Sequence, residues 1–65
     1  MKMEDLLIKN IENAIRGIRL GAKSPEEANA GVNLNKLKII NEGMYQDLLK
    51  KYVNVVSDYK KKNNL

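Results

Sequence analysis

The chain has 65 residues, twelve Lys or Arg against eight Asp or Glu, a net charge of +4, and neither cysteine nor histidine. This excludes disulfides and thiolate metal sites, removes the commonest metal ligand and the usual general base, and leaves room for one domain, residues 1–65. A chain this short buries a modest share of its surface, so stability without staples has to come from efficient helix packing, self-association or a partner.

The first predicted element is a helix over residues 3–20. Ile8, Ile11, Ile15 and Ile18 recur at helical spacing on one stripe, and Leu7 and Ala14 widen it. Glu4 and Asp5 suit the positive end of the helix dipole, and Arg16 and Arg19 the negative end. Gly21 is a natural stop, because glycine accepts the left-handed conformation past a helix end. Gly17, inside the helix, costs about 1 kcal/mol against alanine and suggests close approach of another backbone.

Ser24, Pro25 and Glu27 form the clearest local signal. Ser24 is a preferred N-cap, Pro25 suits the first helical position, and Glu27 completes a capping box. This predicts a short helix over 25–30. The run Asn29 to Asn35 is poor in helix formers and predicts a break, with Asn33 capping the next helix. One long helix from Pro25, bent near Gly31, is the alternative.

The last predicted helix covers about 34–61. Leu34, Leu37, Ile40, Met44, Leu48, Tyr52, Val55 and Tyr59 step by threes and fours, and Tyr45, Leu49 and Val56 broaden the stripe. Gly43 marks a kink or a close contact. Residues 60–65 read as a frayed basic tail.

The predicted fold class is all-α, an antiparallel hairpin of long first and last helices with a short helix between them. A first helix of about 27 Å cannot cover a last helix of about 42 Å. The overhang carries Tyr52, Val53, Val55, Val56 and Tyr59, more apolar surface than water tolerates without a reason. We therefore expect a two-fold homodimer in which Leu48, Tyr52, Val53, Val55, Val56 and Tyr59 form the interface.

Function follows by weighing what remains. Ser24 and the acids at Glu26 and Glu27 are explained by a helix start, no Gly-rich phosphate loop is present, and the expectation is no catalysis, cofactor or metal. The favoured reading is a small protein–protein interaction protein, a regulator or adaptor. The abundance of Lys, Asn and Ile fits an accessory protein of a phage or a low-GC bacterium. The competing reading is a small nucleic-acid-binding protein. In it Lys50, Lys51, Lys60, Lys61 and Lys62 neutralise phosphates beside the tyrosines. Residues 44–65 hold five lysines against two aspartates, so most of the excess charge lies there. The first residues carry acids early and do not read as a secretory signal, and no run reaches the roughly 18 apolar residues of a membrane span. The expected location is cytoplasmic, with no membrane partner.

Overall fold

The computed structural model describes residues 2–63. It contains four helices, α1 (Met3–Arg19), α2 (Pro25–Ala28), α3 (Gly31–Ile40) and α4 (Glu42–Lys62), and no strand among the described residues.

Helix α1 forms where the periodicity places it. Leu7, Ile11, Ala14, Ile15 and Ile18 are buried, and Ile8 packs half-covered beside them. Its end is a full Schellman motif. Gly21 takes a φ of 78°, its N–H donates to the Ile18 carbonyl at 3.1 Å, and the Ala22 N–H donates to the Gly17 carbonyl at 2.9 Å. Gly17 meets a side chain rather than another backbone: Lys23 folds across it, and a Cβ there would lie 3.3 Å from Lys23 Cδ.

The capping box of α2 is complete. The Glu27 N–H donates to Ser24 Oγ at 3.2 Å, and the Ser24 N–H donates to Glu27 Oε1 at 3.1 Å. Asn29, at φ 47°, ends this single turn in the left-handed region that asparagine tolerates. The break expected after α2 is therefore present, and the single bent helix from Pro25 is not. Helix α3 starts at Gly31, so Asn33 lies inside it and caps nothing.

The predicted helix over 34–61 is two helices. Asn41 has extended backbone angles, φ −151° and ψ 90°, and ends α3 while starting α4. Its Oδ1 accepts the Met44 N–H at 3.1 Å, satisfying one of the free donors of the first turn. Its Nδ2 donates to Glu4 Oε1 on α1 at 2.9 Å. Gly43 lies in the first turn of α4 and makes no kink of its own. Lys60, Lys61 and Lys62 are helical rather than frayed, and Asn63 closes the helix by donating twice to the Tyr59 carbonyl. Residues 64 and 65 of the expected tail lie outside the described residues.

This break reverses the predicted direction of packing. The Glu4–Asn41 bond sets the first turn of α1 against the start of α4. At the far end, Ile18 to Gly21 line one cavity with Val55, Asp58, Tyr59 and Lys62. Helices α1 and α4 thus run in the same direction, and α3 carries the chain back between them. The antiparallel partnership expected of the first and last helices does not form. Lys38 Nζ lies 5.7 Å from the centre of the Tyr45 ring, a cation–π contact that links α3 to α4. Among the described residues ten buried apolar residues form the core, from Leu7 through Leu34 and Leu37 to Leu48 and Val55, and no polar side chain is buried.

Two outcomes test this account. Asn41→Ala removes the cap and the bond to Glu4, and is expected to lower unfolding stability by about 1–2 kcal/mol in a denaturant titration. Asn41→Asp keeps the cap but faces Glu4 with a second carboxylate, so its cost should largely disappear when Glu4 is changed to Gln. At α2, the Glu27 carboxyl is held below the usual glutamate range, first by the Ser24 backbone N–H and then by the Ser24 hydroxyl. A depressed folded-state pKa stabilises above the ordinary value and is lost as pH falls through the folded one. The Ser24 amide resonance should therefore titrate with a midpoint below that of glutamate in an unstructured peptide.

Candidate interaction surface

The residues expected at an interface divide into two groups once α4 is seen against its neighbours. Leu48 is 2 % exposed and Val55 is 6 % exposed, and both belong to the internal core. The long overhang that placed Val55 at an interface does not form. Helix α4 has 21 residues and α1 has 17, so their lengths of about 31 and 25 Å nearly match. Tyr52, Val56 and Tyr59 are half-buried against that core. Val53 is 54 % exposed.

The open part of α4 is a flank. Tyr45, Leu49, Lys50 and Val53 line a shallow hollow of about 470 Å³ together with Gln46, Asp47 and Asn54. Beside the hollow, Tyr52 and Val56 join Leu49 as half-covered apolar surface. The flank stays open because α3 has only ten residues and cannot shield the whole length of α4. Helical geometry puts Tyr52, Val56 and Leu49 on one edge of the core stripe and Val53 just outside it.

The lysines expected to act together are separated. Lys50 lines the hollow on α4, while Lys61 and Lys62 line a larger open groove, about 760 Å³, at the end of the molecule where α1 and α4 finish. Arg19 lines that groove too, from α1. The nucleic-acid reading of the sequence rests on lysines alone for its charge and does not include the arginines of α1. Only the shared direction of α1 and α4 brings Arg16 and Arg19 to the end that carries Lys60, Lys61 and Lys62.

A second apolar feature was also missed. Ile39 is 87 % exposed, and Met3, Leu6 and Ile40 are open at the same end of the molecule, where α1 and α4 begin. Val32 and Ile39, seven residues apart, lie on the outer face of α3, opposite Leu34 and Leu37. Among the described residues no group of three or more carboxylates gathers where a metal ion could be held, and no helix is long and apolar enough to cross a membrane. No protein-family model, curated protein or solved structure matches the chain.

Core and surface positions on α4 should respond differently to truncation. Leu48→Ala is expected to cost about 2–5 kcal/mol, since it removes a fully buried side chain and leaves a cavity. Val53→Ala should change stability by less than about 0.5 kcal/mol. Urea unfolding followed by circular dichroism measures both.

Proposed function

We propose that this chain is a small non-catalytic helical interaction protein, a regulator or adaptor, that docks another polypeptide on the open flank of α4. The observation that carries the reading is Val53, more than half exposed beside the half-covered Leu49, Tyr52 and Val56. Exposed aliphatic surface next to tyrosine is the composition of interface cores, because tyrosine joins a large apolar body to a polar tip.

The occupant proposed first is a second copy. The midpoint between Leu49 and Val56 is also the midpoint between Tyr52 and Val53, and all four lie on the flank. A two-fold axis there sets Leu49 of one copy opposite Val56 of the other, and Tyr52 opposite Val53, so a single register covers all four. A strip of a few side chains on one helix is smaller than the roughly 20–30 residues per side of a standard stable interface. The dimer is accordingly weak, with a dissociation constant of micromolar order, about −8 kcal/mol. Such a dimer exchanges readily, which leaves the same flank open to a different protein.

Light scattering over 10-fold dilutions from high micromolar concentration tests the reading. The expected result is a concentration-dependent rise from monomer to dimer mass that changes little with salt, as an apolar contact requires. Val53→Asp should abolish the rise while leaving the circular dichroism spectrum unchanged. A wild type that remains monomeric throughout would rule out the dimer.

A further inference from the structure

We infer that the groove between the last turns of α1 and α4 is a binding site for single-stranded nucleic acid, adjoining the α4 flank at Asn54. The first support is charge. Arg16 and Arg19 end α1, and Lys60, Lys61 and Lys62 end α4, with Asp58 the acid lining the groove beside them. Five cations against one carboxylate leave a surplus of four, equal to the net charge of the whole chain. Away from these ends, seven basic residues meet seven acids. Lys23, folded over Gly17, and the two glutamates of α2 lower the local surplus by one.

Basic residues also suit a helix C-terminus for its own sake, so the magnitude decides. Each helix end carries about half a negative charge, and two parallel ends carry about one. That accounts for roughly one of the cations. The remaining surplus of two to three is more than the helices require, and three of the five cations, Arg19, Lys61 and Lys62, line the open groove.

The second support is the groove's apolar wall. Tyr59 is half-buried on one side, and Leu20, 74 % exposed, stands on the other. Cations on the rim and an aromatic face with aliphatic surface within are what a strand of phosphates and bases needs. Phosphates meet the charges, and a base stacks on the ring whatever its sequence. Size selects the single strand. The molecule measures 19 × 14 Å across its long axis. Two helices abreast are wider than the major groove of a DNA duplex, about 12 Å, so this end cannot enter it.

The test is fluorescence anisotropy of the full chain with an end-labelled 15-nucleotide oligothymidylate in 50 mM salt. The expected result is micromolar binding whose logarithm falls with log salt at a slope of about −2 to −3.5, for three to five phosphates neutralised. Arg19→Gln with Lys61→Gln and Lys62→Gln should weaken binding at least tenfold and flatten the slope, with the circular dichroism spectrum unchanged. Lys50→Gln, about three turns of α4 before Lys61 and lining the hollow rather than the groove, should leave both as they are. Tyr59→Leu, which keeps the apolar packing, should weaken binding about tenfold through lost stacking. Absence of binding at 50 mM salt would overturn the inference, as would a triple variant that binds like the wild type. Displacement by polyglutamate as effective as by unlabelled oligothymidylate would also overturn it, because the groove would then read charge alone.

Discussion

The fold turns on Asn41. A one-residue junction between two helices has to interrupt the backbone hydrogen-bond ladder and satisfy the donors it frees. Asn41 does both, with an extended backbone that stops α3 and a side-chain oxygen that receives the Met44 N–H. Its amide nitrogen reaches Glu4 on α1, so the same side chain ties the turn to the third helix of the packing. A side chain with both an acceptor and a donor fits this place. Aspartate would cap as well but could not donate to a carboxylate, and serine would not reach as far.

The direction of every later element follows from that turn. With α3 and α4 continuous, the last helix would project past α1 and need a partner to cover it. With the chain folded back at Asn41, α1 and α4 lie side by side and bury Leu48 and Val55 against Leu7, Ile11, Ala14, Ile15 and Ile18. The same geometry sorts the charges. Glu4, Asp5 and Glu42 gather at the end where α1 and α4 begin, and Arg16, Arg19 and the terminal lysines at the other. Each sign is locally favourable for its own helix, and the parallel arrangement adds the two contributions at each end instead of cancelling them. A basic groove at one end is thus a consequence of topology as much as of composition.

Local signals were legible in the sequence and the junction was not, for a physical reason. The capping box at Ser24, the Gly21 stop and the isoleucine stripe of α1 depend on residues within a turn of one another, and each appears where its chemistry puts it. Asn41 was hidden by its neighbours: Leu37, Ile40, Met44 and Leu48 keep threes-and-fours spacing straight through the junction, so periodicity reports one helix. The trace of the break is Ile40, in phase with the stripe yet 49 % exposed. The N-cap preference of Asn41, followed by the acidic Glu42 at the first helical position, was the available signal. The candidate site divided in the same way. Val53, expected at an interface, is exposed, Leu48 and Val55 lie in the core, and the arginines joined the lysines only through the reversed chain direction.

What the core can and cannot supply explains why the surface stays partly apolar. Nine buried residues from three helices, with Ala30 in the link before α3, have to offset the ordering of the whole chain, and a domain of this size holds little reserve. Helix α3 is where the shortage shows. It places Leu34 and Leu37 inward, but its ten residues leave the edge of α4 bare, and its outer face carries Val32 and Ile39. A longer α3 would cover Val53 and remove the docking flank with it. The short return helix therefore limits stability and creates the exposed surface together, and a partner that covers α4 would contribute to the core what α3 leaves out.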